Sequence, residues 1–156
     1  MPTAISATAG MNPAVACVTR MPSLLAAGRT GSGARMPADT RIGHVHLSVS
    51  SLEKSDTFYQ SILGFPVRQR DYPGARFYGR ESYHHHIAAN VWQSRESMGP
   101  GTLGLASVSV GLRDPDAPLE RAAAGDRVVT RGPSGSAVLQ DFDGIDVIVT
   151  GLEPSS

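Results

Sequence analysis

Between Arg41 and Thr150 the chain writes one order of elements twice, and this internal repeat limits the folds open to it. The first copy opens with Ile42-Gly43-His44-Val45-His46-Leu47-Ser48-Val49, which alternates as a strand does. Val45, Leu47 and Val49 share one face; His44, His46 and Ser48 share the other. Ser50-Ser51 offers a cap for a helix beginning at Leu52, with Glu53 and Asp56 well placed near its positive end. Leu52, Phe58, Ile62 and Leu63 give that helix an apolar side, and Gly64 ends it where a left-handed residue is wanted. Three strands follow: Pro66–Arg70, Ala75–Tyr78 after a Tyr72-Pro73-Gly74 turn, and Tyr83–Trp92.

A polar, Gly-rich connection from Ser94 to Thr102 separates this copy from a shorter second one. There Leu105–Leu112 alternates, Asp114-Pro115 opens a helix through Leu119 and Ala122-Ala123-Ala124, and Gly125 stops it. Strands near Arg127–Thr130, Ala137–Leu139 and Ile145–Thr150 complete the order. Aligning the apolar faces of the two opening strands sets Ser107 where His44 sits and Ser109 where His46 sits. The expectation is one α+β domain over residues 41–152, with module one at 41–93 and module two at 103–152.

Residues 1–40 differ in texture. They are mostly Ala, Ser, Thr, Gly and Pro, with Arg20, Arg29 and Arg35 against one acid, Asp39, and no apolar periodicity survives more than a turn. Such a segment buries too little surface to offset its ordering entropy, so it reads as a disordered extension. Translated upstream sequence, with Met11, Met21 and Met36 as alternative starts, and an Arg-rich transit peptide are the other readings. On the disordered reading, removal of Met1–Met36 is expected to leave thermal stability nearly unchanged.

Charge is balanced, with Lys+Arg 14 and Asp+Glu 14, and there is no basic cluster, which argues against nucleic acid or an anionic membrane as partner. No run approaches the roughly 20 apolar residues of a membrane span. The lone Cys17 excludes an internal disulfide framework and fits a reducing cytoplasm.

All five histidines fall in two clusters, His44-Val45-His46 and His84-His85-His86. Imidazole is the commonest metal ligand and titrates nearest neutral pH. Period-two facing along Tyr83–Trp92 sets His84 and His86 on the face shared with His44 and His46, and turns His85 toward the core with Ile87, Ala89 and Val91. Imidazoles from the two strands could then meet at one metal, and a non-haem Fe(II) site would add a carboxylate. Asp146 is the candidate, because Asp141-Phe142-Asp143-Gly144 reads as a turn.

Ile42-Gly43-His44-Val45-His46-Leu47, with Phe58-Tyr59 and Leu63-Gly64-Phe65, resembles the opening module of the vicinal oxygen chelate superfamily, which includes glyoxalase I, bleomycin-resistance proteins and extradiol dioxygenases. Gly74-Ala75-Arg76-Phe77, then Tyr83-His84-His85-His86-Ile87 and Asn90-Val91-Trp92, is similar to the C-terminal half of catechol 2,3-dioxygenase-like proteins. The resemblance implies two βαβββ modules whose curved mixed sheets surround a cavity. It also implies a metal held by His44 and His86, with Asp146 as a third ligand, and a divalent cofactor, Fe(II) or Mn(II). His46 or His84 would move protons, and Tyr83 or Tyr78 would hydrogen-bond substrate oxygens. Ser107, and Ile148 in place of a ligand glutamate, depart from the family pattern. A homodimer would restore the four modules of full-length dioxygenases. The implied activity is ring cleavage of a catechol-type or other vicinal-oxygen small molecule by a cytoplasmic enzyme. A metal-free binding module of the bleomycin-resistance type and a glyoxalase-type isomerase are the alternatives.

Overall fold

The computed structural model describes residues 5–10, 42–92, 104–127, 129–132 and 135–152. Its strands are β1 (Ile5–Gly10), β2 (Val45–Ser48), β3 (Val67–Gln69), β4 (Ala75–Tyr78), β5 (Ile87–Asn90), β6 (Gly104–Leu112), β7 (Val129–Arg131), β8 (Ala137–Gln140) and β9 (Asp146–Gly151). Helix α1 (Leu52–Ser55) runs on into a π-helical stretch, Asp56–Ile62, and α2 spans Asp116–Ala124.

The repeat is real in space. The first sheet has the order β2-β5-β4-β3, and the second repeats it as β6-β9-β8-β7, with β1 added outside β6. In each module the opening strand runs parallel to the last, and the remaining pairs are antiparallel. These are two βαβββ units, the α+β architecture expected. Burial alternates along β2 and β9, so Val45 and Leu47, Val147 and Val149 face inward.

Local chemistry explains the helices. Ser51 caps α1, its Oγ accepting from Lys54 N at 3.3 Å, and Asp114 Oδ1 accepts from Ala117 N at 3.2 Å at the start of α2. Gly64 takes φ 77, the left-handed conformation that ends the first helix. The first helix is π rather than α over its second half, closed by Leu63 N donating to Phe58 O at 2.9 Å. The apolar spacing of Phe58, Tyr59, Ile62 and Leu63 is compatible with either winding, so the sequence carries no mark of it.

The modules share one core, in which Leu47, Phe58 and Leu63 join Val108, Leu119, Leu139 and Val147. Two polar links lock it. Arg121 Nε, from α2, donates to Ile62 O at 2.8 Å and so satisfies a carbonyl at the end of the first helix. The turn before β9 reaches the other way: Asp141 Oδ2 accepts from Tyr59 Oη at 2.7 Å, and Asp143 Oδ1 from Ser50 N at 3.0 Å.

Two expectations need correction. The extension was expected to be disordered throughout, yet Ile5–Gly10 forms a strand antiparallel to β6, from Ile5↔Val110 to Gly10↔Gly104. A short Ala/Ser/Thr alternation has no strand signal of its own; the edge of β6, far along the chain, supplies the partner. Residues 1–4 and 11–40 of that segment, Cys17 among them, lie outside the described residues. The strand expected over Tyr83–Trp92 is confined to Ile87–Asn90, and the residues before it form turns. No described helix is long and apolar enough to cross a membrane.

Candidate metal centre

Glu81 takes φ 54, a left-handed bend just after β4, and Tyr83 N donates to Arg80 O at 3.2 Å. The chain then doubles back over Gly79 so closely that a Cβ there would meet Tyr83 O at 2.8 Å and His85 Cα at 3.2 Å. This turn delivers His84 and His85 to the edge of the sheet where His44, just before β2, and His46, on β2, stand. Ring centroids lie 4.4 Å apart for His84–His85, 4.6 Å for His44–His85, 5.7 Å for His44–His84 and 5.1 Å for His44–His46.

His44, His84 and His85 each offer a ring nitrogen, and these donors all lie within 4.8 Å of one another. Nitrogens bound to one tetrahedral metal sit about 3.4 Å apart, so closure needs only small rotations of exposed or half-buried rings. An all-imidazole set suits Zn, Cu, Fe or Ni, and the residues present therefore fit a divalent metal. His46 stands behind them, its Nε2 3.2 Å from His85 Nε2. One of that pair must donate and the other accept, so His46 fixes how His85 presents its second nitrogen.

Electrostatics favour the neutral form of His85 and His46. Burial, followed by the charges of His44, His84, His46 and His86, pulls the His85 pKa from 6.5 down to about 4. Burial, then His44, lowers His46 as well. Deprotonated imidazoles at neutral pH are the ligand form.

His86 goes elsewhere. It is 3% exposed, its ring lies 5.8 Å from Phe65, and its Nδ1 accepts from Arg80 N at 3.3 Å. Burial lowers its pKa, first among several causes. His86 therefore does not share the face of His44 and His46, contrary to the alternation expected, and His85, expected to face the core, stands in the cluster. The reason is that period-two facing holds only within a strand, and these residues precede β5.

Tyr83 is half-buried between His84 and His86, with ring centroids 4.5 Å and 4.7 Å away, and its hydroxyl lies against Gly43. Tyr78 faces the helix, donating to Asp56 Oδ1 at 2.9 Å, and burial raises its pKa. Asp146 lies on β9 of the second sheet, opposite Ser107, and its Oδ1 accepts from Gln140 Nε2 at 3.1 Å. Among the described residues the three-histidine group includes no carboxylate. A cleft of about 500 Å³ beside β3, lined by Gln60, Arg68 and Arg70 among others, contains none of the histidines.

Comparison with known proteins agrees with this architecture. The chain is 44% identical over 64 residues to a catechol-2,3-dioxygenase of Bacillus subtilis (strain 168), a match covering 40% of this chain and 22% of that protein. It thus spans about a fifth of that relative. An integron cassette protein from the mobile metagenome of Halifax Harbour sewage outfall superposes with TM-score 0.56 at 20% identity, over 71% of this chain and 97% of that one. Lactoylglutathione lyase from Agrobacterium tumefaciens gives TM-score 0.54 at 20% identity, over 74% and 96%. At such identities these two likenesses speak for the fold. The family model described as glyoxalase/bleomycin resistance protein/dioxygenase superfamily matches residues 41–149, the span of both βαβββ units, and the chain belongs to that superfamily.

Proposed function

We propose that this chain is a metal-dependent enzyme of the extradiol ring-cleaving type, acting on a catechol-type or other vicinal-oxygen small molecule. The observation that carries the reading is the convergence of His44, His84 and His85. Similarity to a catechol-2,3-dioxygenase supports it. These three residues would hold Fe(II) or Mn(II), which when bound would stabilise the negative charge of deprotonated substrate oxygens. His46, neutral and hydrogen-bonded to His85, is placed to take a proton from a substrate hydroxyl. Tyr83, beside His84, would hydrogen-bond a substrate oxygen. His86 and Asp146 take no part in binding the metal. A homodimer would bring four modules together.

Metal analysis of protein purified without a polyhistidine tag, followed by anaerobic Fe(II) addition and oxygen uptake with catechol, tests the proposal. Near-stoichiometric metal and catechol-dependent oxygen uptake are expected; failure to bind either metal overturns it. One observation favours a second reading, a metal-free binding module: β6 carries Ser107 and Ser109 where the first module has His44, just before β2, and His46, and Ile148 of β9 pairs with Ser109 of β6. A glyoxalase-type isomerase ranks below both, since neither β5 nor β9 contains a glutamate.

A further inference from the structure

Two of the three histidines that converge, His84 and His85, ride on the turn after β4, and the third, His44, stands just before β2. The distance between these two segments decides whether their nitrogens can meet on one ion. The donors lie within 4.8 Å of one another, against about 3.4 Å for nitrogens on a tetrahedral metal. Binding a metal therefore draws the turn and the strand entrance together, and any group wedged between them opposes it.

One contact sets how closely the two segments approach. A Cβ on residue 43 would meet the Tyr83 hydroxyl at 2.9 Å, closer than real Cβ atoms come to a neighbour. No other described atom beyond the adjacent residues lies within 4 Å of that point. Gly43 is not among the glycines of positive φ, so its backbone would accept a side chain; the tyrosine is what leaves no room. Tyr83 is also held from behind. Its ring lies 4.7 Å from that of His86 and 4.5 Å from that of His84. His86 is buried and its Nδ1 accepts from the Arg80 amide, so it gives little way. Tyr83 thus has a fixed core histidine on one side, a metal-site histidine on another, and Gly43 at its tip. A group at 43 that displaces the hydroxyl displaces the ring, and the ring displaces His84. Donors that must close by more than an ångström are then moved the wrong way.

We infer that Gly43 and Tyr83 are positioning residues for the metal centre: the missing side chain at 43 leaves a seat for the Tyr83 hydroxyl, and the tyrosine so seated holds His84 at its distance from His44. The inference rests on the metal-site reading above and deepens it. It is separate from the substrate hydrogen bond given there to Tyr83, because it acts on the ion before any substrate is present.

The test titrates redox-silent Zn(II) calorimetrically into the full chain, Gly43→Ala, Tyr83→Phe and the double variant, with a urea midpoint for each. Gly43→Ala is expected to weaken Zn(II) binding about tenfold, the lower end of what loss of a group supporting a ligand costs. Tyr83→Phe keeps the ring and removes the atom at 2.9 Å, and is expected to bind Zn(II) much as the unmodified chain does. In the double variant the new methyl takes the place of the lost hydroxyl, and most of the affinity is expected to return. A methyl that merely disturbed the fold would lower the urea midpoint without this rescue. Tyr83→Ala removes the spacer altogether, is also expected to weaken Zn(II) binding about tenfold, and carries the test if Gly43→Ala does not fold. Unchanged affinity in Gly43→Ala or in Tyr83→Ala, or a loss that Tyr83→Phe does not relieve, overturns the inference while leaving the metal-site reading standing. Failure of the unmodified chain to bind Zn(II) overturns the metal-site reading and this inference with it.

Discussion

His85 and His86 are neighbours in the chain and share no environment in the fold. His85 touches His44, His46 and His84, whereas His86 is closed in by Phe65, Tyr83 and the Arg80 amide. Their substitutions should therefore fail in different ways. His85→Ala is expected to weaken Zn(II) or Fe(II) affinity by about tenfold or more, by loss of one ligand or of its orientation, with little change in urea midpoint. His86→Ala removes a buried ring and leaves the Arg80 amide without its acceptor, and should cost about 2–3 kcal/mol of stability. Calorimetric metal titration and urea unfolding of both variants decide the matter. Loss of metal from His86→Ala with retention in His85→Ala would reverse the assignment. The sequence carried the histidines' grouping but not this sorting. Consecutive histidines have no conformational signature, and the left-handed Glu81 that turns the chain is not a residue type that announces such a bend.

Elements were legible wherever alternation or capping was local. The extent of β4, the start of α2 and the end of the first helix at Gly64 all follow from residues within a few positions. The turn Asp141–Gly144 was legible as a turn, but its role as a latch between modules was not, because Tyr59 is its partner across 82 residues. Asp141 Oδ1 also accepts from Asp143 N at 2.9 Å and Ile145 N at 2.8 Å. Asp141→Ala would strand three buried donors and is expected to cost about 3 kcal/mol or more. Asp141→Asn keeps an oxygen for the two amides and an NH2 for the tyrosine oxygen, and should cost far less. Its pH dependence is the sharper test. Burial raises the Asp141 pKa above 3.8, so its proton is held more tightly in the folded chain than in the unfolded one. The resulting stabilisation is full below 3.8 and fades as pH rises through the higher folded value. The stability of the native chain relative to Asp141→Asn should therefore increase as pH falls through that window, read from urea midpoints of both proteins. A difference that stays flat with pH would show that Asp141 titrates as it does when unfolded.

On the scale of the whole molecule the two sheets share a strand order but not an outline, because β1 covers the outer edge of β6. The nine-residue β6 is the longest strand described, and without β1 it would present an open row of amides and carbonyls. The six residues of β1 contribute hydrogen bonds of about 1 kcal/mol each, while ordering their backbone costs about 1–2 kcal/mol per residue. The hydrogen bonds therefore leave no surplus over the ordering cost, so removal of Met1–Met36 should lower the melting temperature little, even though part of that segment is structured. The larger effect belongs to association. An uncovered β6 edge is a template for another strand, and a second copy of the chain supplies one at the same edge. The shortened chain is therefore expected to form larger assemblies than the full chain does at the same concentration, as measured by sedimentation velocity over a dilution series. If instead it sediments as the full chain does at every concentration, β1 is not the cover of that edge. If its melting temperature drops sharply, pairing along β6 contributes more to the fold than its hydrogen bonds and ordering cost allow.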